Sequence, residues 1–439
     1  MPSSSWIRTW SNGKIDSLFS SAKISTFAGV IMQANVRPVR SLTFQKSMKS
    51  HAILIPAALL LVVIAVAQQP IRKEWKKRVL TTDFLTEGLS AGDIDGDGKM
   101  DLVAGAFWFK GPDFTEAKAY RPGRAMPVKS YMEDSFLSWV DDLNGDGRND
   151  ILMASHPGKD LTLYLNPGKE GDWPVHRVMT EAATESPLWV DLDGDGKKEL
   201  ICMQGGCFGY AEVDWSDVTR PWTFVKISEK RTNSPYMHGL GVGDLSGDGR
   251  LDIVEKDGWF EQPAEKDGKW IWHQERFAGR GGAQMLVFDV DGDGDNDMIT
   301  SMDGHGYGLA WFESSGTKGA ITFKRHEILP EDPAKTGVGG LQFSQLHALE
   351  SGDFDNDGRM DFITGKRYYA HNGKDPGAED PALAVVFYNR LEGGKVTWVP
   401  EVIDSDSGVG CQVLAVDLNG DGLLEFAAGN KKGVHVIGR

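Results

Sequence analysis

Nine-residue stretches of the form D-x-[DNS]-x-D-G-x-x-[DE] begin at Asp93, Asp142, Asp191, Asp244, Asp289, Asp353 and Asp417. Their oxygen-bearing side chains stand at positions one, three, five and nine. The first three copies supply Asp93, Asp95, Asp97 and Asp101; Asp142, Asn144, Asp146 and Asp150; and Asp191, Asp193, Asp195 and Glu199. The next two supply Asp244, Ser246, Asp248 and Asp252, then Asp289, Asp291, Asp293 and Asp297. The last two supply Asp353, Asp355, Asp357 and Asp361, then Asp417, Asn419, Asp421 and Glu425. Position seven is Lys99, Arg148, Lys197, Arg250, Asp295, Arg359 or Leu423, a variety expected if only its backbone carbonyl is used. Hard oxygen donors in this number suit Ca²⁺, so about seven calcium sites are expected. Asn144 and Asn419 keep an oxygen without its charge and Ser246 offers a hydroxyl, which makes the fourth site the weakest. Position six is glycine in every copy, where the chain must turn sharply around an ion.

An EF-hand loop starts in the same way but needs a glutamate at position twelve and a helix after it. Position twelve here is Ala104, Met153, Cys202, Glu255, Thr300, Thr364 or Ala428, and short apolar runs such as Asp101-Leu-Val-Ala-Gly and Asp361-Phe-Ile-Thr-Gly follow the loops. Those runs are strand-like. The loops are therefore expected to connect β-strands, at intervals of 49, 49, 53, 45, 64 and 64 residues. That spacing fits four-stranded propeller blades. Six aromatic-led strands, starting at Trp75, Trp173, Trp222, Trp272, Phe323 and Trp398, read as outer strands. The expected fold is all-β: a seven-bladed β-propeller over 70–439, with a calcium loop between the first two strands of each blade. Its last blade is completed by the N-terminal strand 75–82.

A second set of reactive residues emerges from the strand register. Six residues before each loop, about 20 Å along a strand, stand Glu87, Phe136, Glu185, His238, Ala283, His347 and Cys411. Residues beyond the second strands, including His156, Asp303, His305, Lys366, Arg367 and His371, reach the same calcium-free rim. Imidazoles and carboxylates together can hold a divalent metal with open positions, and Glu87, Glu185, His238 and His347 form the candidate set. In that reading His305 or His371 removes a proton and Lys366 or Arg367 orients the substrate. His176, His273 and His326 fall in or beside outer strands and are read as surface groups. Trp108, Trp259 and Trp311 are read as packing.

The 439-residue chain has a formal charge of −16, and 25 acids sit at loop ligand positions. The acidity is thus mostly that of the loops, and it speaks against nucleic acid and anionic membrane surfaces as partners. Residues 48–67 carry Lys49, an apolar run from Ala52 to Ala67 and small residues before Gln68. This is the pattern of a secretory signal peptide, too short for a comfortable span. It implies a secreted, periplasmic or cell-surface protein with no membrane span after cleavage. Residues 1–47 show neither strand nor helix period, which leaves a start at Met48 open. The three cysteines, Cys202, Cys207 and Cys411, are expected as buried thiols, with a Cys202–Cys207 bridge as the alternative.

With these loops the sequence resembles the FG-GAP or VCBS repeat family, which includes the propeller of integrin α chains, over nearly all of 70–439. The resemblance implies fold and calcium; for function it leaves adhesion modules and enzymes alike. The strings Met237-His-Gly-Leu-Gly-Val-Gly-Asp, Asp303-Gly-His-Gly-Tyr-Gly-Leu-Ala-Trp-Phe and Gln345-Leu-His-Ala-Leu, with Lys366-Arg-Tyr-Tyr-Ala-His, are similar to those of propellers related to aldos-2-ulose dehydratase. This implies a metal-dependent elimination on a keto-sugar. Two expectations result: a secreted calcium-binding module whose mouth binds carbohydrate, or a lyase or dehydratase at that mouth.

Overall fold

The computed structural model describes residues 74–316 and 319–439. The upstream segment 1–47 and the signal segment 48–67 lie outside the described residues. Apart from two short 3₁₀ turns, Val338–Gly340 and Ala370–Asn372, the described elements are strands. No helix among the described residues is long and apolar enough to cross a membrane.

The strands form six antiparallel sheets. One holds Ser90–Gly92, Asp101–Ala104, Phe107–Phe109 and Ala117–Ala119; its short edge strand lacks the leading aromatic of the others. Leu137–Asp141, Asp150–Ala154 and Lys159–Tyr164 continue into Val175–Val190, then Glu199–Gln204, Cys207–Glu212 and Thr223–Lys226, as one seven-stranded sheet. The 16-residue strand Val175–Val190 serves two units: its first half pairs with Lys159–Tyr164 and its second with Glu199–Gln204. Three further sheets of four strands span 240–274, 286–329 and 346–404. In the last sheet Val413–Val416, Glu425–Asn430 and Gly433–Gly438 are joined by the N-terminal strand Lys76–Thr81, with Lys76 opposite Gly438.

Every acidic loop is a hairpin connector between the first and second strands of its unit. The pairs that close the loops are Gly92 with Asp101, Asp141 with Asp150, Val190 with Glu199, Gly243 with Asp252, Phe288 with Asp297, Gly352 with Asp361 and Val416 with Glu425. The second strands are buried along almost their whole length, as in Asp150–Ala154 and Glu425–Asn430. This is why they read as continuous apolar runs: both faces of the sheet are covered.

Apolar clusters join each unit to the next. Val103 and Trp108 pack with Ile151 and Met153; Leu152 and Leu163 with Leu200 and Ala211; Ile201 and Phe208 with Ile253 and Phe260. Val254 and Trp259 pack with Met298 and Ala310, Ile299 and Trp311 with Phe362 and Phe387, and Ile363 and Val386 with Phe426 and Ala428. A further cluster sets Leu89 and Leu102 against Ala427 and Val434, so the last unit packs on the first. All three cysteines are buried free thiols.

Candidate functional site

At the loop end, the first aspartate organises each turn. Asp93 accepts backbone hydrogen bonds from Gly96 and Gly98, both at 2.8 Å. The ninth-position acid reaches back to the second residue, as Asp101 does to the Ile94 amide at 2.9 Å. Carboxylate oxygens of Asp93, Asp95 and Asp101 converge, as do those of Asp191, Asp193 and Glu199 and of Asp289, Asp291 and Asp297. This donor set fits a hard divalent cation. The sixth-position glycines have φ between +82 and +100°, yet a Cβ there would meet nothing within 4 Å. Backbone conformation therefore demands glycine. Loop acids also hold basic side chains, which loop spacing does not reveal: Lys110 pairs with Asp95 and Asp97, Arg250 with Asp248, and Arg390 with Asp355 and Asp357.

At the opposite end a cavity of about 810 Å³ is lined by Glu87, Phe136, Glu185 and His238 from the common register, together with His156, His305, Arg367 and His371. His347 lies buried beneath it. Donor atoms of Glu185, His238, His305 and His347 fall within 4.8 Å of one another. His238 Nε2 is 3.0 Å from His347 Nε2 and 3.1 Å from His305 Nε2. Glu185 Oε2 is 3.2 Å from His347 Nε2 and 3.6 Å from His238 Nε2.

The partners of these rings dictate where their protons sit. His238 Nδ1 faces the Tyr236 carbonyl at 3.1 Å and His305 Nδ1 faces Asp375 Oδ2 at 2.8 Å. Both partners only accept, so both Nδ1 atoms donate. Arg367 Nη1, which can only donate, stands 3.1 Å from His347 Nε2. In their neutral forms His238 and His305 therefore turn bare Nε2 lone pairs toward the cluster, while His347 Nε2 stands between the Arg367 donor at 3.1 Å and the Glu185 acceptor at 3.2 Å. Burial, then the charges of His347, His238 and Arg367, push His305 down to about 2. Burial, then Arg367, pushes His347 down to about 3. Burial alone would raise Glu185, but His238, His347 and Arg367 outweigh it and hold the carboxyl well below its ordinary range. One carboxylate with neutral imidazoles is a donor set that fits a transition metal better than calcium.

The expected set changes in three places. Glu87 is drawn away from the cluster to Arg367, with Oε1 3.1 Å from Nη2, and His305 takes its place among the converging donors. Arg367 is buried against Glu87 and Glu185 and braces the donors from behind. Lys366 is fully buried and bonded to Ser344 Oγ at 3.2 Å, so it does not line the cavity; burial lowers its amine to about 8. Strand alternation separates it from Arg367. His371 keeps its place at the rim, its Nδ1 3.0 Å from Asp375. Asp375 was missed altogether. The Trp108, Trp259 and Trp311 side chains are buried. The exposed aromatic rings of the cavity are instead Tyr131 and Tyr236, 48% and 46% exposed.

The FG-GAP-like repeat model matches residues 142–202, 289–364 and 353–428, and the FG-GAP repeat model matches 86–115. No curated protein matches the chain. Among solved structures, an Agrocybe aegerita lectin that recognises non-reducing terminal N-acetylglucosamine is 16% identical, covering 84% of this chain and 85% of the lectin with a TM-score of 0.45. The rhamnogalacturonan lyase YesW is 14% identical over 82% of this chain and 72% of its own, TM-score 0.41. The V. cholerae biofilm matrix protein Bap1 is 14% identical over 73% of this chain and 40% of its own, TM-score 0.31.

Proposed function

The chain belongs to the FG-GAP repeat family, and from that premise we propose an exported seven-bladed β-propeller, calcium-loaded at its loop end, that acts on a keto-sugar as a metal-dependent lyase or dehydratase at the opposite mouth. Seven hairpin loops, the cyclic series of apolar clusters and the pairing of Lys76–Thr81 with Gly433–Gly438 support the propeller. The catalytic half of the reading rests on one observation: the Nε2 atoms of His347 and His305 stand 3.0 and 3.1 Å from His238 Nε2 beside the Glu185 carboxylate, a convergence of four donor atoms that one shared cation would satisfy.

Glu185, His238, His305 and His347 would hold that cation, which when bound supplies Lewis-acid polarisation of a ketone and acidifies the adjacent C–H. His371, whose Nδ1–H is taken by Asp375, presents Nε2 at the rim to accept the proton. Arg367 orients the donor groups, and Tyr131 and Tyr236 offer ring faces to a sugar. The proton taken by His371 then departs with the hydroxyl of the neighbouring carbon as water, which balances the elimination and leaves a conjugated enone.

Elemental analysis after calcium exchange tests this. One transition metal per chain, lost in His238→Ala, is the expected result, with enone absorbance from a 2-keto-hexose as the activity readout. Calcium alone would instead favour a second reading, a carbohydrate-binding mouth without catalysis. One observation supports that reading: Arg367 Nη1 already brings a positive charge within 3.1 Å of His347 Nε2 and 3.5 Å of Glu185 Oε2.

A further inference from the structure

Asp375 lies outside the nine-residue acidic loops, in the segment that follows the buried strand Asp361–Lys366, and its carboxylate serves two histidines. Oδ2 is 2.8 Å from His305 Nδ1, and His371 Nδ1 is 3.0 Å from both carboxylate oxygens. The His305 and His371 rings stack above this shared acceptor, with centroids 4.3 Å apart at 27°. The turn that presents His371 is strained. Of the seven non-glycine residues with positive φ among the described residues, three fall here: Tyr369, His371 and Asn372, at 54, 46 and 58°. Left-handed backbone of this kind persists where the surroundings hold it and tends to concentrate at functional sites.

We propose that Asp375 is a positioning residue that fixes a metal ligand and a proton acceptor together, making His305 and His371 one unit. The inference rests on the metal reading above. An ionised carboxylate only accepts, so both rings must carry hydrogen on Nδ1. For His305 that leaves Nε2 bare toward Glu185, His238 and His347, as a carboxylate behind a ligating histidine does in metal sites generally. For His371 it leaves Nε2 bare at the cavity. One acidic side chain thereby sets the tautomer of both rings. Asparagine cannot do this: its single oxygen satisfies one ring, while its amide N–H opposes the other and favours the tautomer with hydrogen on Nε2.

The test uses the full chain in saturating Ca²⁺, with Co²⁺ alone as probe, titrated by its visible absorption. Wild type is expected to bind one Co²⁺ with the intense band of a low-coordinate nitrogen site. Asp375→Asn is expected to weaken that binding 10- to 100-fold and to alter the band. His371→Ala, which removes the other partner of the same carboxylate, is expected to keep affinity within about twofold. An Asp375→Asn chain with wild-type affinity and spectrum overturns the inference. Equal loss in His371→Ala also overturns it, because packing of the turn would then be responsible. A wild-type chain without the band removes the metal centre itself, which the Asp375 variants could not do. Unchanged thermal unfolding in calcium shows that each variant is folded.

Discussion

The two ends of the strands assemble donor groups by opposite means. At the loop end each prospective site is nine contiguous residues, open to solvent apart from the buried ninth acid, with its first aspartate already tied to its own backbone. At the mouth the donors come from positions 185, 238, 305 and 347, in or beside strands of four different sheets, and they are almost wholly withdrawn from water. Local loops can vary independently, and they do so by Asn, Ser or a basic neighbour. The mouth depends on every intervening unit having the right length. The loops are thus suited to holding the fold together, and the mouth to a single chemical task.

The largest expected effect comes from calcium removal. A ligand that binds only the folded state at 1,000 times its Kd contributes about 4 kcal/mol per site, and several sites act together. Chelation should lower the unfolding temperature far more than His238→Ala does in saturating calcium. Equal melting curves with and without chelator would abolish the division of labour between the ends.

Next in size is Arg367→Met. The guanidinium is 7% exposed and its partner Glu87 carboxylate 2%. Removing one partner of a buried pair leaves an uncompensated charge and costs about 3–5 kcal/mol. Glu87→Gln in the same chain should recover part of that loss in a double-mutant cycle, with calcium stoichiometry unchanged throughout. Independent, additive losses would show that the two groups do not act as a pair.

A third prediction concerns the seam between the ends. His435, on Gly433–Gly438, is buried with neither ring nitrogen bonded to a protein partner. Burial, with Lys77 and Lys432 opposing Asp404 and Asp406, lowers it to about 4. The folded state therefore binds this proton less readily than the unfolded one. Stability is complete above the ordinary value near 6.5 and falls as pH drops toward 4. Between pH 7 and 5 the loss attributable to this ring is about 2 kcal/mol. His435→Leu should remove that portion of the acid sensitivity, read as the difference between the two urea denaturation series. Parallel pH profiles would assign the acid loss to the cation sites.

These regions also differ in how far a sequence reveals them. Nine adjacent residues contain everything a loop needs, so spacing alone located all seven. Counting along strands brought Glu87, Glu185, His238 and His347 to one rim, because rise per residue is nearly constant. It could not show which of them meet, since that depends on distances between separate sheets. Arg367, just past the end of a strand far in sequence, captures Glu87, and His305 enters from a loop beyond its strand. Lys366 could have been set aside from sequence: adjacent residues of a strand point to opposite faces, so it and Arg367 cannot share a site. Asp375 sits in a turn with no periodicity. Its only mark is its place four residues after His371.

The smallest effect tests the grading of the loops themselves. In the fourth loop Ser246 occupies position three, its amide bonded to Asp252 at 2.8 Å and its hydroxyl 3.4 Å from Asp244. Arg250 pairs with Asp248 in the same turn, so this loop has both the poorest third donor and a competing cation. Ser246→Asp restores a carboxylate where Asp95, Asp193, Asp291 and Asp355 already stand. Calcium affinity of that loop should rise about tenfold, equivalent to about 1.4 kcal/mol, seen as one more tightly bound calcium per chain in equilibrium dialysis. Because the added acid also repels Asp244 and Asp248, the same chain should melt lower than wild type once calcium is removed. An affinity unchanged by the substitution would mean that position three does not contact the ion, and that the loops bind through their first, fifth and ninth residues alone.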